Sequence, residues 1–321
     1  MHFQRALSVL VAAFLALPLA APAAAQNAPA RPLRMIVTEA PGSAPDLAAR
    51  VIGERLSRSL GQPVRVENRA GDDGVRVAAS ARPDGATVLF APASVLVIFP
   101  YTTDLLPYSP EDDFAGVAMV GSMPFVVVAN PALNVKSLHD LMTLASEAPG
   151  RIAYASPGLR TLPGILGEMI RRRAALNLML VPHPGTQSVQ DTVAGRTHIT
   201  VEGVAAVATA VQRGQLRALA VSSAKRLPEL QDVPTVAETL TGFEFNSWYA
   251  IVAPAGTPAA AIQRLNIETN RALFDPEVEP RLNLLGIYPE GTPGPAQVDA
   301  FFESQRELWR KTVRELKMEP D

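Results

Sequence analysis

The chain has 321 residues, 48% of them hydrophobic, with 29 Lys and Arg against 31 Asp and Glu and a formal net charge of −2. That near balance argues against a nucleic-acid partner, which needs a basic stripe or patch. The absence of Cys removes disulfides, thiolate catalysis and Cys-based metal sites together, but it leaves the compartment open, because oxidising compartments permit disulfides without requiring them.

The N-terminus carries Arg5 before an apolar run, Ala6 to Leu19, and the small residues Ala23, Ala24 and Ala25. A charged start, an apolar middle and an A-x-A end read as a secretory signal peptide spanning residues 1–25, cleaved after Ala25. A membrane span would need about 20 apolar residues, and Pro18 and Pro22 shorten this run. No Cys is present to carry a lipoprotein anchor. The later apolar stretches, such as Ser94–Phe99 and Phe125–Ala129, have strand length. Without Arg5 the mature chain has 28 basic and 31 acidic residues, a net of −3. Its length suffices for two domains of ordinary size.

From Leu33 the pattern is strand, turn-rich loop, helix, strand. Leu33–Thr38 is a short buried strand, and Glu39–Pro45 is the loop. Asp46 is a helix cap or first-turn acid, and Leu47, Val51, Ile52, Leu56 and Leu60 recur at helical spacing up to Gly61. Val64–Glu67 and Thr87–Ala91 are further strands, with Pro83-Asp84-Gly85 turning between them. This β-loop-α-β opening argues for a parallel sheet. Val117–Ala129 is a long β-rich stretch interrupted by Gly121 and Pro124.

A second β/α series then begins. Its helices are Ser137–Ala148, Leu162–Ala174, Gln187–Ala194 and Val204–Arg213. They alternate with strands at Arg151–Ala155, Leu178–Val181, His198–Val201 and Leu216–Val221. Trp248–Ala253 returns as a strand, and helices Pro258–Leu273, Pro276–Leu284 and Pro295–Leu316 finish the chain. Two β/α series joined by two strand-like passages predict a chain that crosses twice between domains. Residues 26–127 plus 251–321 form one domain and residues 128–250 the other. Ligands of open α/β sheets sit beyond the carboxyl ends of the strands, so two such sheets facing each other make a cleft.

Eight short motifs then point to a family. In order they are Val66-Glu67-Asn68-Arg69-Ala70-Gly71, Pro83-Asp84-Gly85, Tyr108-x-Pro110, Asp113-Phe114, Tyr154-Ala155-Ser156, Val181-Pro182, Asp232-Val233-Pro234-Thr235 with Glu238, and Pro254-Ala255-Gly256-Thr257-Pro258. Together they resemble the Bug/TctC family, the receptors associated with tripartite tricarboxylate transporters, from Pro32 to the final helix. The resemblance implies a two-domain periplasmic binding protein of type II, a Venus flytrap in which each domain is a mostly parallel α/β sheet. It implies a small carboxylate or amino-acid ligand, held by backbone amides of two loops and ordered waters. The expected partners are membrane transporter subunits or, as the alternative, a sensor kinase. A monomer without cofactor or metal is expected, located in the periplasm.

The departures from the family lie in its ligand loops. The first is typically P-F-P-P-G-G-x-x-D; here it reads Thr38-Glu39-Ala40-Pro41-Gly42-Ser43-Ala44-Pro45-Asp46. The second is typically Y-A-S-x-G-x-G-S-x-x-H; here Arg160 replaces the second Gly, Thr161 replaces Ser, and Gly164 stands where His is usual. V-P-Y-K-G becomes Val181-Pro182-His183-Pro184-Gly185, and the acid ending the next strand, usually Asp, is Glu202.

The candidate ligand contacts are accordingly Ala40, Gly42, Ser43, Ala44 and Asp46 in the first loop, Ser156, Gly158, Arg160 and Thr161 in the second, and His183 and Glu202. Helix N-termini behind both loops favour an anion. An Arg160 guanidinium could grip a carboxylate by two parallel bonds or pair with Glu39 across the cleft. Tyr154 fits core or cleft equally. His183 and Glu202 each have a structural reading, and His198 and Glu202, about 13 Å apart along a strand, cannot share a metal. The run Arg171-Arg172-Arg173 reads as a solvated helix end. An enzyme is not indicated: there is no G-x-S-x-G, H-E-x-x-H or G-x-G-x-x-G, and Asp72-Asp73-Gly74 lacks the spaced acids of a calcium loop.

Overall fold

The computed structural model describes residues 31–156, 161–183, 187–243 and 245–318. The expected signal segment, Gly158, Arg160, Pro184 and Gly185 therefore lie outside the described residues. Ten strands form one continuous, mixed sheet. They are β1 (Leu33–Val37), β2 (Val64–Asn68), β3 (Thr87–Pro92), β4 (Phe114–Ala129), β5 (Ala153–Ser156), β6 (Met179–Pro182), β7 (Ile199–Gly203), β8 (Arg217–Val221), β9 (Asn246–Pro254) and β10 (Tyr288–Pro289). Their order is β2-β1-β3-β9-β4-β7-β5-β6, with β8 and β10 each pairing β4 off this path.

The opening parallel unit forms as the pattern predicts. β1 pairs in parallel with β2 and β3, and the intervening helix Ala44–Leu60 ends at Gly61, whose φ of 67° is the left-handed angle a helix stop favours. In the second series β5 pairs in parallel with β6 and β7. The 16-residue β4 joins the two parts. Its residues Phe114–Pro124 pair antiparallel with β9, and from Phe125 onward its partners are β7 and β8. A strand this long reads in sequence as two pieces because Gly121 and Pro124 interrupt it. Gly121 is required by packing: a Cβ there would lie 2.2 Å from the Tyr288 carbonyl oxygen of β10.

Several elements differ from the sequence expectation, which leaves out the short helices Pro110–Asp113 and Val236–Thr239. Gly71–Ala79 is a helix, which the Gly71 start and the Asp72-Asp73-Gly74 polar run conceal. Ser94–Ile98 is a π-helical turn running into the short helix Phe99–Thr102, although its apolar run has strand length. Periodicity cannot separate a short buried helical turn from a buried strand. The two-residue β10 is too short to leave a pattern.

The motifs that carry the resemblance prove to be joints of this scaffold. Glu67 accepts two bonds from Arg34 of the neighbouring strand, at 3.0 and 2.9 Å. Asp84 accepts the Ala86 N–H at 2.9 Å within the turn. Thr235 and Glu238 form a complete capping box, and Arg226 clamps Glu238 through two nitrogens. Thr257 donates to the Pro254 carbonyl at 2.7 Å.

The core follows the same division. One apolar cluster fills the face of β1, β3 and β9 covered by the helices Ala44–Leu60 and Ala259–Leu273. A larger one runs along the other face and through the junction, from Ile36 and Leu89 to Tyr154, Ile165, Trp248 and Trp309.

Candidate functional site

The first loop is locked from within. Gly42 adopts φ 81°, a left-handed conformation natural to glycine, and its N–H donates to Asp46 at 2.8 Å. Asp46 is not the cap; Ser43 holds that position, and its hydroxyl donates back to the Ala40 carbonyl at 2.7 Å. Asp46 is buried and also accepts from Arg50 and from Asn68, the latter at 2.9 Å. Burial pushes this carboxyl up, but the bonds from Arg50, Gly42 and Asn68 outweigh burial and hold it below its ordinary range. Its acceptors are spent on the loop. Asn68 also donates to the Glu39 carbonyl, so the V-E-N motif fastens the first loop to β2. The Glu39 carboxylate accepts from Thr38 at 3.1 Å, and burial raises its pKa despite that bond.

The second wall is built on β5 and β7. Ser156, at the carboxyl end of β5, is buried, and its carbonyl accepts the His183 N–H at 2.6 Å. Thr161 is the N-cap of the helix Leu162–Arg173, its hydroxyl accepting the Gly164 N–H at 3.3 Å. Tyr154 settles as core: it is fully buried under this helix and donates to the Pro163 carbonyl at 3.0 Å. Glu202 ends β7 and accepts from the buried Ser188 hydroxyl at 2.6 Å. Burial raises the Glu202 pKa, only partly offset by Ser188. His183 is turned to Asp191, its Nε2 in contact with the carboxylate, while Arg196 and Gln187 hold the same carboxylate. His183 is thus part of a polar joint around Asp191.

Against the second wall lies a cavity of about 420 Å3. Of the sequence-predicted contacts among the described residues, Thr161 and Glu202 line it; Ala40, Gly42, Ser43, Ala44, Asp46, Ser156 and His183 do not. The rest of the lining was not anticipated. Ser94, Ile98 and Phe99 come from the π-helical turn and its continuation, Met123 and Phe125 from β4, and Leu162, Pro163 and Ile165 from the helix start. Ser94–Phe99 and Phe125–Ala129 read in the sequence as apolar runs of strand length, and apolar type alone does not tell a cavity wall from packed interior. Gly203, also in the lining, has open space where a Cβ would stand.

The site therefore offers an apolar chamber with three polar points, Ser94, Thr161 and Glu202. The positive end of a three-turn helix opens onto it. No group of three or more acidic or histidine side chains among the described residues is placed to hold a metal ion. No helix among them is long and apolar enough to cross a membrane.

Known proteins share this architecture. Residues 48–317 match the Tripartite tricarboxylate transporter family receptor. Protein BugT of Bordetella pertussis is 34% identical over 321 residues, covering 98% of each chain. A Rhodopseudomonas palustris protein solved with adipate superposes with a TM-score of 0.76 at 27% identity, over 90% of this chain and 98% of the other. MatC of the same organism, with bound malate, gives 0.72 at 27% identity, over 89% and 99%. The family and its structural neighbours are binding proteins, not enzymes. With the fold and most of the length matched, the chain belongs to the TctC family of tripartite tricarboxylate transporter receptors.

Proposed function

We propose that the chain is an exported receptor that captures a small carboxylate in the cavity between Ser94–Phe99 and the Thr161–Glu202 wall. It then presents the closed form to the membrane subunits of a tripartite tricarboxylate transporter. The observation that carries this reading is the cavity itself, which joins a helix N-terminus, a hydroxyl cap and a buried carboxyl with apolar walls. The helix end favours the ligand's negative charge. Burial raises the Glu202 pKa, and in its protonated form the carboxyl can donate to a ligand oxygen. The adipate and malate complexes of the two neighbours support a small carboxylate as the ligand class.

We place the hinge where β4 changes partners, between Pro124 and Phe125, and at Phe245–Asn246 in the returning strand. The sequence pattern put the boundaries a few residues later, at 127/128 and 250/251. Ser222 supports the earlier position. Its buried hydroxyl accepts the Phe125 N–H at 2.9 Å and faces the Asn246 side chain at 3.4 Å, and its carbonyl accepts the Phe245 N–H at 3.3 Å. One residue thus ties both crossings. The domains so defined are 31–124 plus 246–318 and 125–245.

The test fills the chamber. Gly203 has φ −60°, which any residue adopts, and its absent Cβ would point into free space. Gly203→Leu should change stability by less than about 1 kcal/mol, the scale of an altered helix cap. It should abolish the thermal shift given by whichever small carboxylate stabilises the natural chain. A ligand at 100 times its Kd adds about 2.7 kcal/mol, so the loss is measurable. Retained binding in Gly203→Leu would place the ligand elsewhere.

A further inference from the structure

A second cavity, of about 360 Å3, lies between the C-terminal helix Pro295–Leu316 and the crossing strands. It shares no lining residue with the first. Its walls include Phe245, Trp248, Phe301 and Trp309, with Gln305 and Glu290. Both tryptophans of the chain are here. The rings brace one another: Trp248 stacks on Phe302 at 5.4 Å, Phe301 meets Trp248 edge-on at 5.2 Å, and Trp309 meets Phe245 edge-on at 5.6 Å. The Trp248 N–H donates to Gln305 at 3.4 Å. The walls are therefore fixed before any ligand arrives. Among the described residues, Glu290 is the charged one of the lining, and no Lys, Arg or His joins it. Its carboxylate has no ion pair or hydrogen bond among the described residues.

We propose that this cavity binds a small aromatic amine, its ring among the aromatic walls and its ammonium group toward Glu290. Three features select that chemistry. The volume and the rings suit a single aromatic body. Aromatic rings attract a cation through their negative faces. A carboxylate would meet Glu290 as a like charge with no cationic side chain in the lining to compensate. The site differs from the first cavity in its aromatic walls and in having no helix N-terminus in its lining, and it stands whether or not that cavity takes an acid. Met169 and Gly242 line it from the segment between the crossings, while the C-terminal helix lines it from outside that segment. An occupant touches both sides of the junction and is positioned to bias the closing of the first cavity.

The test uses the full mature protein labelled with 5-fluorotryptophan, which gives one fluorine resonance for each of Trp248 and Trp309. Titrations run in the Gly203→Leu background, so that an acid in the first cavity does not contribute. The probes are phenethylamine, 2-phenylethanol and phenylacetate, alike in size and different in charge. Phenethylamine should shift both resonances saturably and bind at least about tenfold more tightly than the other two, the worth of one charge-assisted contact. Glu290→Gln should remove that advantage while leaving 2-phenylethanol unchanged. No saturable shift with the amine, equal binding of the alcohol or the acid, or an undiminished amine affinity in Glu290→Gln would each overturn the proposal. A failure of Gly203→Leu to block carboxylate binding bears on the first cavity and leaves these outcomes readable.

Discussion

At the scale of single residues, the molecule separates two kinds of buried carboxyl. Asp46 is buried and fully bonded, so its ionised form is favoured and it serves the fold. Glu202 is buried and accepts from the Ser188 hydroxyl, a bond that burial outweighs, so its pKa is raised. The sign of the linkage follows. A carboxyl whose folded pKa is raised binds its proton more tightly in the folded than in the unfolded chain. Stability therefore falls as pH rises from the ordinary carboxyl range through the raised value. Glu202→Gln should remove this loss. In urea unfolding the variant should gain on the natural chain at pH 8 and lose that gain at pH 4. A constant difference across the pH range would show that Glu202 is not the titrating group. The carboxyl pair was only half legible in sequence. Asp46 reads as a helix-start acid, and β7 ends in an acid, but burial and partners come from segments distant in the chain: Asn68 for the first and Ser188 for the second.

At the scale of elements, the strands and helices with strong periodicity emerged from sequence within a few residues, and the cavity wall did not. Ser94–Phe99 is flanked by Pro92 and Pro100 and is apolar throughout, which suits a strand as well as a turn of helix. Its placement depends on the C-terminal helix packing on it some 200 residues later, information that no local window contains. The Leu162–Arg173 helix is the complementary case. Its start, cap and length are local, but its seat is not: Gly167 exists because Tyr154 lies beneath it, and a Cβ would stand 2.0 Å from the Tyr154 hydroxyl oxygen. Gly167→Ala should therefore cost about 1–3 kcal/mol despite the better helix propensity of Ala. It should also weaken carboxylate binding, because the helix carries Thr161, Leu162 and Pro163 into the cavity. A neutral or stabilising effect in denaturant titration would mean that the helix seats differently on β5.

At the scale of the whole molecule, the family motifs secure the scaffold, and the cavity is the proposed place of the ligand. Turns, a capping box and the inter-strand Arg34–Glu67 pair are built from the motifs that carry the family resemblance. Of the positions where the chain departs from the family pattern, Thr161 and Glu202 line the chamber. That is why fold and family were readable from sequence and the binding surface only in part. The central claim is that a small carboxylate sits in the chamber while the two parts close about Pro124–Phe125 and Phe245–Asn246. The most direct measurement is a crystal structure of the mature protein with the carboxylate that stabilises it most. The expected result is a ligand enclosed by Phe99, Phe125 and Ile165, with one carboxylate oxygen within hydrogen-bonding distance of Thr161 or Glu202. A ligand bound outside this chamber, or one inside it that touches neither Thr161 nor Glu202, would contradict the claim.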